Sequence, residues 1–436
     1  MFNYKIIRSF LRGIFSKRNP IYAQFAINSN CNLQCRMCGQ HQLAQSEWSS
    51  PSLLHKQKNI LSLNEIRVIA GHLQKMQLPF IVLTGGEPFL RKDLAEIVKI
   101  FKDHNITSRI QTNGTLLTEK NIQELLNLGV VDYSISLDSL IEEKQDYIND
   151  RKGSWKKALE GIYILSKIVP KRGNFSVINT VVSDYNLYEI PSLVEFVNRI
   201  GFSHSLIPVH TKDKNKDKNK DKTRYKNLDK VKNDQNETFR SQNSSVKVKH
   251  SDHHQIDEVY RQIIRLKKKG YAIHNSKHFL KESIQFLKTG LVNSKCDSPY
   301  LYFHINSKGE MASCLDYSNG YSMLTDDFWS KYSSGEIQAS LKSTIENCDG
   351  CMYPCYAELS YLRRKRTVFI ERTVSETKKF LRVRNEYSFD DLLGWVSELN
   401  SKSIYNQDKN QPKNQNKNQN KNQNETITKN SMVVNS

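Results

Sequence analysis

The 436-residue sequence predicts an α/β fold built on a parallel sheet, followed by a smaller α+β unit. Three observations carry this reading. Between residues 20 and 210, six short apolar runs alternate with longer stretches of helical periodicity. The motifs suited to chemistry fall at the carboxyl ends of those runs, where such folds collect their sites. All eight cysteines lie in two groups, at 31, 35 and 38 and at 296, 314, 348, 351 and 355.

Taken in order, the strand candidates are YAQFAIN (22–28), FIVLT (80–84), SRIQT (108–112), VVDYSISL (130–137), FSVINTVV (175–182) and SHSLIPV (203–209). They are short and mostly apolar, as strands covered on both faces must be. Between them, Ser62 and Glu65 form a capping box ahead of IRVIAGHLQKM. A helix following Thr118 ends at Gly129, and NLYEIPSLVEFVNRI ends at Gly201, both plausible C-terminal glycines. SWKKALEGIYILSKI (154–168) places its apolar residues on one face.

The chain divides by composition into an N-terminal segment 1–19, a core 20–210, a polar insertion 211–255, a second unit 256–398 and a tail 399–436. The second unit opens on the helix DEVYRQIIRLKKKG. It continues through LYFHINSKGEM, a hairpin turning at Asn306–Gly309, and reads as helical over 375–398. The insertion and the tail are Lys/Asn-rich and too poor in apolar residues to fold.

Residues 211–250 hold 13 Lys and Arg against 6 Asp and Glu, and residues 401–436 hold 6 Lys against 2 acids. These tracts supply over half of the net charge of +20. Almost no aromatic residue interleaves them, so the charge is weak support for a nucleic-acid partner. A non-catalytic metal-binding protein that contacts nucleic acid stays as the rival reading.

No run approaches the roughly 18–20 apolar residues that cross a bilayer. The basic N-terminus is interrupted by Arg8 and Arg12 and lacks the apolar core of a signal peptide. Ile6, Phe10, Leu11 and Ile14 fall at helical spacing, which predicts a helix packed on the core or a peripheral membrane contact. Without a secretion signal the expected compartment is the reducing cytoplasm, where clustered cysteines bind metal rather than form disulfides.

In NSNCNLQCRMCG (28–39), three thiols stand without a fourth. Three thiolates can hold three irons of a 4Fe–4S cube and leave the fourth iron open, whereas four close it. Two of them could also belong to a zinc site completed from elsewhere. The second run ends in LTGGEPFLR, where Gly85 and Gly86 let a ligand approach the main chain and Glu87 adds a carboxylate.

CNLQCRMC followed by TGGEP resembles the radical SAM superfamily. QTNGT (111–115), SISLDSL (134–140) and VINTVVSDYN (177–186) extend the resemblance over about residues 20–210. It implies a partial (β/α)6 TIM-like barrel, a 4Fe–4S cluster held by Cys31, Cys35 and Cys38, and S-adenosyl-L-methionine on the open iron. It further implies reductive cleavage to a 5′-deoxyadenosyl radical that abstracts a substrate hydrogen, with the electron from a flavodoxin or ferredoxin. By position, Met37 would lie against the adenine, and Gly85, Gly86 and Glu87 would receive the methionine amino group. Ser136 and Asp138 would face the ribose, with Asn179 and Ile207 as looser matches. Local capping or turn bonding is the other role for Asp138 and Asn179. His204 and His210 read as core or surface residues.

The later cysteines resemble the SPASM auxiliary-cluster extension or its shortened twitch form. The full SPASM pattern uses about seven cysteines for two clusters, and five are present here. The resemblance implies one auxiliary Fe–S cluster on Cys296, Cys314, Cys348 and Cys351, with Cys355 as a replacement ligand or a separate thiol. A four-cysteine zinc site is the alternative. About 20 residues precede the first strand, so no peptide-recognition module is expected ahead of it. A small molecule or carbohydrate is the preferred substrate class, with a peptide or protein as the alternative.

Overall fold

A computed structural model describes residues 20–39, 60–211, 241, 243–316, 320–346, 348 and 350–410. The helix predicted over 1–19 and most of both Lys/Asn-rich tracts lie outside these residues.

Six strands form in the predicted places: β1 (Tyr22–Asn28), β2 (Phe80–Gly85), β3 (Thr107–Thr112), β4 (Tyr133–Ser136), β5 (Val177–Val182) and β6 (Ser203–Pro208). All pair in parallel with their sequence neighbours. Between them run α1 (Leu63–Lys75), α2 (Leu94–Asp103), α3 (Glu119–Asn127), α4 (Glu142–Asn149), α5 (Ser154–Ile168) and α6 (Ile190–Arg199). This is the parallel sheet that the strand–helix alternation predicts, in the partial barrel that the resemblance implies.

Alternation along each strand sorts the side chains. Ala23, Phe25 and Ile27 on β1, Ile81 and Leu83 on β2, and Ile178 and Val182 on β5 join the helix-side core. Phe25 meets Phe101 of α2 edge to face with ring centroids 6.2 Å apart. Helix α1 starts on the predicted capping box of Ser62 and Glu65 and buries Ile66, Ile69, Ala70 and Leu73. Each fully buried Leu or Ile contributes roughly 1.5–3 kcal/mol, so this face far outweighs helix propensity.

The C-terminal stretch enters the same sheet. Strand β7 (Tyr302–Ile305) pairs in parallel with β1, and the hairpin partners β8 (Glu310–Ala312) and β9 (Tyr321–Ser322) follow antiparallel. The strand order is β6-β5-β4-β3-β2-β1-β7-β8-β9. The turn after β7 forms where expected, with Gly309 at φ 78° and the Asn306 side chain accepting from Lys308 and Glu310 N–H groups.

Helices α7 (His253–Lys268) and α8 (Lys277–Thr289) pack together beside β6. Helix α7 begins ahead of residue 256, and Val246 and Val248 before it are buried, so the packed second unit starts earlier than polar composition alone implies. After α9 (Phe328–Ser334), α10 (Glu336–Glu346) and α11 (Pro354–Arg364), two helices replace the single one read over 375–398. Helix α12 (Arg366–Leu381) stops and α13 (Phe389–Asn410) starts anew, continuing ten residues past 400. The break exists because Arg384 turns inward, donating to the carbonyls of Val169 and Pro170 at the end of α5 at 2.9 and 3.1 Å. A cation there satisfies helix-terminal acceptors that would otherwise be orphaned.

Helix α12 also carries a half-buried ionic cluster. Glu376 bridges Arg372 at 3.1 Å and Lys379 at 3.0 Å. The Lys379 amino group also lies 3.3 Å from His274 Nδ1.

Candidate functional site

The first cysteine loop is held from both sides. After α4, the last carbonyls of the helix have no intrahelical donor. Gln34 N–H donates to Asn149 at 3.1 Å and Arg36 N–H to Ile148 at 2.8 Å. The Arg36 guanidinium pairs with Asp150 at 2.7 Å and lies over the Tyr147 ring at 4.1 Å. Cys35 Sγ donates to Asn149 Oδ1 at 3.3 Å. From the β3 side, Asn113 donates to Asn32 Oδ1 at 2.9 Å, and Asn32 donates to Thr115 at 2.8 Å. The QTNGT motif therefore braces the cysteine loop.

Cys31 is exposed, and Cys35 and Cys38 are half-buried. Burial raises the pKa of Cys31 and Cys35, and the neighbouring thiols add to it: Cys38 acts on both, and Cys31 on Cys35. Cys31 is pushed up to about 11.

The β2 end is knitted to the β1 end. Gly86 N–H donates to Asn28 O at 3.1 Å, Glu87 N–H to Asn30 O at 2.7 Å, and Asn28 Nδ2 to Glu87 O at 3.0 Å. A Cβ on Gly85 would overlap the Asn28 carbonyl, and one on Gly86 the Asn30 carbonyl. Gly85 also sits at φ 132°, outside the range of L side chains. This close approach sets the main chain beside Cys31 bare of side chains.

The Glu87 carboxylate is directed elsewhere. It is fully buried and accepts from Thr112 Oγ1 and Asn113 N–H, both at 2.8 Å, and from Phe89 N–H at 3.2 Å. Burial raises its pKa to about 7 against these donors. Its carboxylate thus locks β2 to β3. Asp138 behaves similarly: its carboxylate accepts from Val181 N–H at 2.7 Å, and burial raises its pKa to about 7. It also lies within electrostatic reach of Cys35.

Ser136 and Asn179 are register partners on β4 and β5, and Asn179 pairs onward with Ser205 on β6. All three belong to the inner face, opposite Ile135, Ile178 and Leu206 of the helix-side core. Ile207 follows on β6, and Met37 packs at the edge of the core. His204 is a core residue, as expected, with Nε2 2.8 Å from Thr180 Oγ1. His210 accepts from Met352 N–H at 2.8 Å and stacks on Tyr353.

Cys296, Cys314, Cys348 and Cys351 line one cavity of about 480 Å³ including its open mouth, together with Asp316 and Tyr356. Cys355 is absent from that lining. It hydrogen-bonds with Tyr22 at the start of β1, and burial raises its pKa. Among the described residues, no three His, Cys, Asp or Glu side chains converge on one point as a single metal ion requires. A zinc site needs four ligands about one atom, whereas a cube of iron and sulfur spreads its ligands over separate corners. Both groups supply the thiolate donors that such clusters take.

Sequence reading missed the residues that do the bracing: Asn28, Asn32, Asn113, Asn149 and Arg36. Their signal was the polar residues inside and beside the quoted motifs, but their partners lie up to 114 positions away.

Residues 26–197 match the Radical SAM superfamily. This segment is a radical SAM domain. The AdoMet-dependent heme synthase of Methanosarcina barkeri is 30% identical over 183 residues, 42% of this chain and 48% of that protein. The probable GTP 3′,8-cyclase of Methanocaldococcus jannaschii is 29% identical over 182 residues, 41% of this chain and 55% of that one. The chain thus spans about half the length of these curated relatives. In fold, the chain is similar to Streptococcus suis SuiB bound to S-adenosylmethionine. That likeness has a TM-score of 0.53 at 13% identity, covering 75% of this chain and 68% of SuiB. Among the described residues, no helix is long and apolar enough to cross a membrane.

Proposed function

We propose that this chain is a radical SAM enzyme that abstracts hydrogen from a small molecule or carbohydrate, with one auxiliary Fe–S cluster. The observation that carries the reading is the braced loop of Cys31, Cys35 and Cys38 against the bare main chain of Gly85 and Gly86. When bound, a 4Fe–4S cluster on those three thiolates supplies the electron that cleaves S-adenosylmethionine to a 5′-deoxyadenosyl radical.

The residues of this chain have distinct parts in that task. Asn32, Asn113 and Asn149 fix where the thiols stand. The bare Gly85–Gly86 turn, fixed by its bonds to Asn28 and Asn30, leaves room for the methionine end of the cofactor. Ser136 and Asn179 present short polar groups toward its ribose, while the carboxylates of Glu87 and Asp138 hold neighbouring strand ends together. Met37 is placed to pack on the adenine. The apolar helix-side core keeps the strand ends rigid, so these groups stay aligned as the reaction proceeds.

Cys296, Cys314, Cys348 and Cys351 are the ligand set for the auxiliary cluster, in a SPASM- or twitch-like unit, because they line one cavity. The electron donor is a flavodoxin or ferredoxin in the cytoplasm. The names of the relatives cover haem and GTP chemistry, so they do not select a substrate for this chain. The test is anaerobic reconstitution. About eight irons per chain and release of 5′-deoxyadenosine under reductant support the reading. A zinc-only protein without cleavage overturns it.

A further inference from the structure

Two buried hydrogen-bond acceptors stand side by side on the inner face of the sheet, each without a partner. Gln24 on β1 and His304 on β7 are register partners, 5% and 7% exposed. Their chain neighbours Ala23, Phe25, Phe303 and Ile305 belong to the helix-side core, so Gln24 and His304 face the barrel interior. Gln24 Nε2 donates to Gln111 Oε1 at 3.3 Å. Gln111 is on β3, two strands away, so this bond crosses the concave face over β2. Gln24 Oε1 and His304 Nδ1 remain unsatisfied. Burial lowers the His304 pKa to about 4 against a hydrogen bond to the Gln24 main chain, so the ring is neutral, and Nδ1 accepts in the tautomer that carries its proton on Nε2.

An unmade hydrogen bond on a buried polar group costs about 1–3 kcal/mol. Two adjacent ones cost more than an apolar pair at the same positions would, and the cost is offset when a ligand donates to both. The pair also stands between the two cysteine groups. One step toward the strand starts, Tyr22 and Tyr302 are register partners; the Tyr302 hydroxyl lies 3.0 Å from Cys296 Sγ, and Tyr22 hydrogen-bonds with Cys355. In the other direction, the four residues from Gln24 to Asn28 span about 13 Å of strand and end at the first cysteine loop.

The surroundings select the ligand. Register carries the row from Gln24 through Val82 to Arg109, and Arg109 is engaged with the Phe175 carbonyl at 3.1 Å and the Phe80 ring. No carboxylate stands in this row, so a cation finds no counter-charge. An anion meets two lone pairs. Ser134, Ser203 and Ser205 on the facing strands add hydroxyls that both donate and accept. An extended peptide turns successive N–H groups to opposite sides, so it does not bring two neighbouring donors to one place.

We propose that Gln24 Oε1 and His304 Nδ1 form a substrate subsite that takes two neighbouring hydroxyl groups of an uncharged polyhydroxylated small molecule. This rests on the radical SAM reading.

The experiment is saturation-transfer NMR on the reconstituted full-length holoenzyme with S-adenosylmethionine bound. Its probes are myo-inositol, methyl β-glucoside and the blocked peptide N-acetylalanine methylamide. At least one polyol binds, and Gln24→Met or His304→Phe weakens it about three- to tenfold, while His304→Gln restores it to within about twofold. Because either apolar substitution can disturb the fold, 15N-histidine spectra of the unsubstituted protein give a second readout. The His304 Nδ1 resonance shifts when polyol is added. Binding of neither polyol, an unmoved Nδ1 resonance, unchanged affinity in both apolar variants, or capture of the blocked peptide instead overturns the subsite. Substrate-free 5′-deoxyadenosine release is measured in parallel on the unsubstituted holoenzyme, and its absence there counts against the radical SAM reading rather than against the subsite.

Discussion

His210 accepts a hydrogen bond from the main-chain N–H of Met352 at 2.8 Å, tying the chain after β6 to the loop that carries Cys351. The N–H is buried there, and removing its acceptor costs about 1–3 kcal/mol. His210→Phe keeps a ring against Tyr353 but loses the acceptor. It is expected to lower the melting temperature and reduce iron retention at the C-terminal cysteines, with His210→Gln giving the smaller loss. Iron analysis after gel filtration, alongside thermal unfolding, reads both effects.

Cys31→Ala, Cys35→Ala and Cys38→Ala should each abolish 5′-deoxyadenosine release while keeping the C-terminal iron. Full cleavage in any one of them contradicts the ligand set.

The cavity separates the five later cysteines. Cys296, Cys314, Cys348 and Cys351 line it, and Cys355 faces Tyr22. Replacing Cys351 by Ala is therefore expected to remove about four irons per chain, and replacing Cys355 by Ala close to none. Equal loss from both would make Cys355 a ligand.

Gly86→Ala places a methyl on the Asn30 carbonyl and against Cys31 N. Backbone on both sides leaves nothing flexible to yield. The cysteine loop must shift, and cleavage should fall by about a hundredfold or more, as small misplacements at a reacting centre do. Measurement of S-adenosylmethionine binding by equilibrium dialysis should show the same direction.

Glu376 neutralises Arg372 and Lys379 in a half-buried cluster. Although burial opposes ionisation, these cations hold its carboxyl well below the ordinary value of 4.5. A depressed acid stabilises the fold above its unfolded pKa and loses that contribution as pH falls. Glu376→Gln should thus cost about 3 kcal/mol near neutral pH, and its deficit against the natural chain should shrink below pH 4.5. Chemical denaturation at pH 7 and pH 3.5 tests this.

The strands were legible because burial on both faces leaves a continuous apolar run, as in FIVLT and the apolar half of FSVINTVV. The cysteine loop and Gly85–Gly86 were legible because their chemistry is compressed into adjacent residues. Glu87 shows the limit: its type and place were readable, but not that Thr112 and Asn113 occupy its carboxylate. Helix α12 ends early for a reason 214 residues distant in sequence, the Arg384 bond to Pro170. Gln24 and His304 are polar residues inside apolar runs, 280 positions apart. Only the parallel register of β1 and β7 makes them neighbours.

That same register has a consequence for biosynthesis. The edge of β1 opposite β2 gains its partner only when residues 302–305 have been made. Until then a nascent chain presents an unpaired strand edge immediately before its first cysteine loop, a template for misassociation. The long-range closure slows the final step of folding. A fragment ending at residue 255 would keep that edge open permanently, so assembly of the first centre is coupled to arrival of the last third of the polypeptide from the ribosome.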